Sequence, residues 1–152
     1  MKPRILVSAC LLGVNCRYDG GGKAIAGLEA LMELAELIPV CPEILGGLPT
    51  PRTPSERRGG RVVTRDGGDV TAAFRRGAEE ALKLAGLFGA KRALLKERSP
   101  SCGSGQIYDG SFSGGLTPGD GVAAELLKSR GIEVFGESRI GELIDILRGN
   151  QP

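Results

Sequence analysis

The stretch Arg4-Ile5-Leu6-Val7-Ser8-Ala9-Cys10 decides the fold. Its first half could pass for a secretory leader: Met1-Lys2-Pro3-Arg4 is basic, an apolar run follows, and Ser8-Ala9-Cys10 imitates a lipoprotein cleavage site. Only three strongly apolar residues precede Ser8, however, where a leader needs about 7–15. The run is instead short and apolar on both alternations, the pattern of a parallel strand buried on two faces. No later run nears the ~20 apolar residues of a membrane span. The expectation is a cytoplasmic protein with no membrane association.

Outward from this strand, helical and strand patterns alternate. Residues 24–37 place Ile25, Leu28, Leu31, Met32 and Ala35 on one helical face. Ile38 to Cys41 reads as a second strand, and residues 42–60, with four prolines and four glycines, as a long structured loop. Arg61 to Thr64 suits a small strand, 69–88 a long amphipathic helix, and Ala90 to Leu95 the next strand. A second Gly/Ser-rich loop covers 97–116. Thr117 followed by Pro118 predicts a helix start, Gly131 a helix end, Ile132 to Phe135 the last strand, and Ser138 the cap of a final helix carrying Ile140, Leu143, Ile144 and Leu147. The expected class is α/β: one domain over 1–152, a three-layer Rossmann-like fold with a small parallel sheet.

Composition narrows the chemistry. Twenty basic against 18 acidic residues gives +2, which excludes a bulk polyanion binder. There is no histidine, so the Ser-His-Asp triad, the Cys-His pair and the His-ligated zinc site are all excluded. Glycine is abundant, 25 of 152 residues, more than double the usual ~7%. Chemistry falls to four cysteines, carboxylates, hydroxyls, Lys, Arg and backbone amides.

The cysteines are Cys10, Cys16, Cys41 and Cys102, none in a C-x-x-C pair. In a reducing compartment they read as reactive or metal-binding thiols rather than as disulfides. Cys10 and Cys41 end strands and Cys102 lies just beyond one. Strand C-termini of a parallel sheet share the edge where such folds place ligands. Three thiols distant in sequence therefore meet at one pocket, unless they are simply small core residues. Such a triad suits either zinc completed by Cys16 or a carboxylate, or an iron–sulfur cluster with one iron open. Glu43 lies two residues past Cys41, placed for proton transfer, and Ser99, Ser101 and Ser104 bracket Cys102. Gly20-Gly21-Gly22, Gly46, Gly47, Gly103 and Gly105 let backbone amides approach a ligand closely, while Gly59-Gly60 and Gly67-Gly68 read as plain turns. Arg52, Arg57, Arg58, Arg61 and Arg65 form either a phosphate-binding cluster or a solvated surface. Tyr18-Asp19 offers groups for a ribose or a base, or closes a turn onto the glycine run.

These segments resemble a known family. Val7-Ser8-Ala9-Cys10-Leu11-Leu12-Gly13, Cys16-Arg17-Tyr18-Asp19-Gly20, Cys41-Pro42-Glu43 with Gly46-Gly47-Leu48, Pro51-Arg52, and Leu95-Lys96 with Ser99-Pro100-Ser101-Cys102-Gly103 are similar, in order, to the thiouracil desulfidases. The resemblance runs from about residue 5 to 103. It implies a 4Fe–4S cluster held by Cys10, Cys41 and Cys102 with one iron open, with catalytic roles for Glu43, Ser99 and Ser101 and none for Cys16 in ligation. Tyr18, Asp19, Gly46, Gly47 and Arg52 would contact substrate. It further implies sulfur removal from a thiolated uracil or its nucleotide, 4-thiouracil or 4-thio-UMP, without net redox change. The partner is a small molecule rather than DNA or tRNA, with the chain a monomer or weak homodimer. Two other classes fit the residues: a structural zinc or iron–sulfur protein, which needs all four cysteines, and a nucleotide-binding regulatory domain whose thiols are incidental.

Overall fold

The computed structural model describes residues 1–149 of the chain; the last three residues of the expected domain lie outside the described residues. Four strands, β1 (Arg4–Ser8), β2 (Glu36–Val40), β5 (Arg92–Leu95) and β8 (Glu133–Gly136), form a parallel sheet in the order β2-β1-β5-β8. The register pairs Leu6 with Ile38 on one side and with Ala93 on the other, and Leu94 of β5 with Phe135 of β8.

Side-chain alternation along these strands builds two cores. Ile5, Val7, Leu94 and Phe135 face one way, against helices α1 (Leu28–Leu34) and α5 (Ile140–Leu147), with Leu31, Leu143 and Ile144 filling that layer. Leu6, Ala93, Leu95 and Val134 face the other way, against Ala85 of α3 (Thr71–Phe88) and Ala124 and Leu127 of α4 (Val122–Ser129). The three-layer parallel α/β architecture expected from the β1 pattern is therefore present.

Two antiparallel hairpins and a short helix sit between these elements. The residue 42–60 loop holds α2 (Pro42–Leu45) and β3 (Ser55–Arg58), which pairs with β4 (Arg61–Thr64). Pro42 stands in the first turn of α2, where its missing N–H costs nothing. The second loop holds β6 (Gln106–Tyr108) and β7 (Leu116–Pro118).

Several local expectations are corrected. Thr117 does not cap a helix: it pairs with Ile107 in the β6–β7 hairpin, and α4 begins four residues beyond Pro118. Gly121 precedes that helix because any Cβ there would stand 2.4 Å from the Ser101 carbonyl carbon. Ser138 caps no helix either; its hydroxyl donates to Glu97 at 2.6 Å, and α5 follows a 3-10 turn, Glu137–Arg139. Helix α1 is shorter than 24–37, because Gly27 starts it in a left-handed conformation and Ala35 is already extended. Met32, expected in the core, is 57% exposed.

Candidate active site at the carboxyl edge of the sheet

Each of the three strand-end cysteines is presented by a different local device. Cys10 lies in a 3-10 turn, Ala9–Leu12, that leaves β1 and is closed by Gly13 at φ 95°, with Lys23 N–H donating to the Cys10 carbonyl at 3.0 Å. Cys41 follows β2 in extended conformation and leads directly into α2. Cys102 sits in a turn beyond β5 that Ser99 organises: its hydroxyl accepts the backbone N–H groups of Ser101 and Cys102, both at 3.0 Å. The strand ends are tied together by Ser8, whose buried hydroxyl accepts the Lys96 N–H at 2.9 Å.

These devices bring Cys10, Cys16, Cys41 and Cys102 to the wall of one cavity of about 330 Å³. Glu43, Arg52, Lys96, Ser99 and Tyr18 line it too. Cys10, Cys16 and Cys102 are buried, Cys41 half-buried, and all four are free thiols. Their electrostatics follows from this crowding. Burial pushes the Cys10 thiol up, Cys41 adds to this, and Lys96 and Arg17 oppose it. Burial, then Cys41, raises Cys16 to about 12. Cys102 is raised chiefly by burial, against the opposing Ser8 hydroxyl, with Glu43, Cys10 and Cys41 adding to the rise. A cationic centre would reverse this balance by favouring the thiolates.

The donor set facing the cavity is all thiol, with no imidazole. Among the described residues no three His, Cys, Asp or Glu side chains converge on the position of a single ion. One zinc would gather its sulfurs about 2.3 Å from a common point. An iron–sulfur cluster takes one thiolate per iron and so accepts thiols spread around a cavity wall. Three or four soft donors without imidazole fit the second case.

Glu43 is held rather than loose. Arg52 Nε donates to Glu43 Oε2 at 2.8 Å, and its other nitrogens bond the Pro49 and Cys16 carbonyls and the Thr50 hydroxyl. Glu43 and Arg52 side chains are 16% and 8% exposed, so the pair acts largely out of water. Lys96 is fixed similarly: its Nζ bonds Glu137 Oε1 at 3.0 Å, and the same oxygen accepts the Glu97 N–H.

The other sequence-derived candidates divide between the cavity wall and positions outside its lining. Ser101 is 1% exposed, lies outside the cavity lining, and its hydroxyl has no hydrogen-bond partner among the described residues. Asp19 lies outside the lining and closes a turn by accepting the Gly21 N–H at 2.9 Å. Gly46 and Gly47 also lie outside it. A Cβ on Gly46 would stand 2.0 Å from the Ala73 carbonyl oxygen, so its service is to let α2 pack on α3. Gly22 likewise yields to a backbone, the Val14 carbonyl. Of the arginine cluster, Arg52 and Arg65 reach the cavity, joined by Arg17 and Arg98. Arg57 instead bonds the Asp120 carbonyl and Glu125, and Arg61 pairs with Asp69.

Sequence reasoning passed over Glu56, Tyr108 and Phe112, which also line the cavity. The signal was Asp109-Gly110-Ser111-Phe112-Ser113-Gly114-Gly115, a small-residue loop with one aromatic at its centre.

The chain is similar to known proteins over most of its length. A family model described as 2-thiouracil desulfurase matches residues 5–139. The chain is 42% identical over 150 residues to YbbK, an uncharacterized protein of Bacillus subtilis (strain 168), covering 92% of this chain and 99% of that one. Among solved structures, it matches the 4Fe-4S-dependent thiouracil desulfidase TudS with a TM-score of 0.92 and 52% identity, over 97% of this chain and 99% of the other.

Proposed function

The chain belongs to the 2-thiouracil desulfurase family, and on that footing we propose that it is a 4Fe–4S-dependent thiouracil desulfidase. The observation that carries this reading is the meeting of three strand-end thiols with the Glu43–Arg52 pair around one cavity. Cys10, Cys41 and Cys102 would hold the cluster. Cys16 stays a buried neighbour, with its carbonyl engaged by Arg52 and by the Cys41 thiol.

A cluster with one iron free of protein ligands supplies a soft Lewis acid matched to a thione sulfur. The chain's own residues do the rest. Glu43 accepts a proton from the water that attacks the thione carbon, and Arg52 keeps the carboxylate aimed into the cavity. The Ser99 hydroxyl, whose lone pairs are engaged by two backbone N–H groups, retains its proton to donate to substrate. Lys96 and Arg17 bring positive charge to the Cys10 side of the cavity, where it favours the thiolate. The balance is C=S plus water to C=O plus hydrogen sulfide, with no electron transferred.

The substrate class is a thiolated uracil or its nucleotide, 4-thiouracil or 4-thio-UMP. Arg17, Arg65 and Arg98 on the cavity wall support a phosphorylated form. The reading includes a cytoplasmic enzyme of one domain over 1–152; among the described residues no helix is long and apolar enough to cross a membrane. The test is anaerobic reconstitution with iron and sulfide, followed by measurement of sulfide release from 4-thiouracil and 4-thio-UMP. Release of one sulfide per uracil formed is expected. Cluster formation with no release from either compound would favour a structural iron–sulfur protein.

A further inference from the structure

The loop between β6 and β7 is built with unusual care for a surface turn. Asp109 N–H bonds the Gly115 carbonyl at 3.0 Å, closing the loop, and Asp109 Oδ1 accepts the Ser111 N–H at 2.9 Å. Two residues of β3 reach it. Glu56 Oε1 accepts the N–H groups of Gly110 at 2.9 Å and Phe112 at 3.1 Å, and Arg58 Nε donates to the Gly110 carbonyl at 2.8 Å. Glu56 is itself 9% exposed. A buried carboxylate is thus committed to holding one loop.

What that loop presents is Phe112, at φ +57°. A bulky side chain in the left-handed region is a strained position that persists only where surrounding contacts impose it, and such positions gather at functional sites. The distribution of aromatic residues points the same way. The chain has four Phe, two Tyr and no Trp. Phe74 and Phe135 are fully buried core residues, and Phe88 sits at the end of α3 beside Arg4. The remaining three, Tyr18, Tyr108 and Phe112, all line the cavity that holds the thiols. Arg58 and Arg65 flank the Phe112 ring at 5.9 Å from its centroid, at the outer limit of cation–π contact.

We infer that Phe112 is the stacking wall for the pyrimidine ring of the substrate and that Glu56 is the positioning residue that holds it there. The inference rests on the desulfidase reading. It adds that selection of a flat heterocycle over other thiones resides in the β6–β7 loop, apart from the thiols and Glu43. A planar base gains from an aromatic face whatever its substituents, and loss of such a face weakens binding by roughly tenfold or more.

The test uses the reconstituted full-length protein with two probes, uracil for binding by calorimetry and 4-thiouracil for turnover, with thiourea as a ringless thione inhibitor. Phe112→Ala should weaken uracil binding about tenfold and raise KM for 4-thiouracil more than it lowers kcat, while Phe112→Tyr restores both. Inhibition by thiourea and the iron content should not move. Glu56→Ala should give the same KM-weighted loss, Glu56→Gln should recover most of it, and in the Phe112→Ala background Glu56→Ala should cost little more. Wild-type turnover with KM and uracil affinity unchanged in Phe112→Ala would overturn the inference and leave the desulfidase reading standing. Phe112-dependent uracil binding without any sulfide release would overturn that reading and leave the stacking wall standing. No uracil binding and no turnover by the wild type would overturn both.

Discussion

Arg52 Nε donates to Glu43 Oε2 at 2.8 Å while the same guanidinium reaches the Cys16 carbonyl at 3.0 Å, so a single side chain fixes both the carboxylate and the loop beside the thiols. The planar fork is needed for this, since lysine has one point charge and cannot serve four acceptors at once. Arg52→Ala leaves a largely buried carboxylate without its counter-ion, at a cost of about 3 kcal/mol in stability. Urea denaturation of the metal-free protein should report that loss. Sulfide release should fall by at least tenfold, and Arg52→Lys should recover only part of it.

Glu43→Ala removes the proton acceptor and leaves every thiol in place. Iron content should match the wild type, and turnover should fall about 10²–10⁴-fold, the range for one general base. Normal turnover would remove Glu43 from the chemistry.

Ser101 separates stability from activity. Its hydroxyl is fully buried with no partner among the described residues, and an unsatisfied buried polar group costs about 1–3 kcal/mol. Ser101→Ala should therefore leave the melting temperature of the metal-free protein equal or raise it. By the catalytic role that the family resemblance implies, turnover of the reconstituted protein should fall at the same time. A variant with lower stability and full activity would give Ser101 a packing role only.

The contact between α2 and α3 places Cys41 and Glu43. A Cβ on Gly77 would stand 1.8 Å from the Pro42 carbonyl oxygen, and one on Gly46 2.0 Å from that of Ala73. Gly77→Ala and Gly46→Ala should each destabilise by about 1–3 kcal/mol, as overpacking does, and should lower sulfide release. At Gly59, Gly60 and Gly67 nothing stands within 4 Å of such a Cβ. Alanine at Gly60, where no left-handed φ is required, should change neither.

Acid sensitivity has an identified contributor near α3. The Thr71 hydroxyl first, then the Thr71 N–H and Arg61, hold the Asp69 carboxyl down to about 2 from 3.8. Because the folded value is the lower one, the stabilisation is complete above 3.8 and is lost as the pH falls through about 2. The stability difference between wild type and Asp69→Asn should be constant from pH 5 to 8 and shrink across that acid window. A difference that grows toward low pH would contradict the assignment.

Much of this was legible in the chain because it depends on local pattern. The Ile5–Val7 run has a buried residue on each alternation, which marks a central parallel strand, and the strand ends then place Cys10, Cys41 and Cys102 on one edge. What stayed hidden depends on pairing across long separations. Thr117-Pro118 reads locally as a helix start, but the partner that makes it a strand is Ile107, on the other side of a loop. Ser138 likewise bonds Glu97, 41 residues away. Gly46 and Gly47 read as ligand-contact glycines, and only the α2–α3 approach shows the backbone that Gly46 accommodates. Glu56 and Phe112 became visible through a contact between β3 and the β6–β7 loop that no periodicity announces.

Iron and acid-labile sulfide per chain, measured after anaerobic reconstitution of the four single cysteine-to-alanine variants, test the central claim most directly. Cys10→Ala, Cys41→Ala and Cys102→Ala should each lose the cluster and sulfide release together. Cys16→Ala should keep about four irons and four sulfides and remain active. Loss of the cluster in all four variants would make Cys16 a ligand, close the open iron and contradict the account.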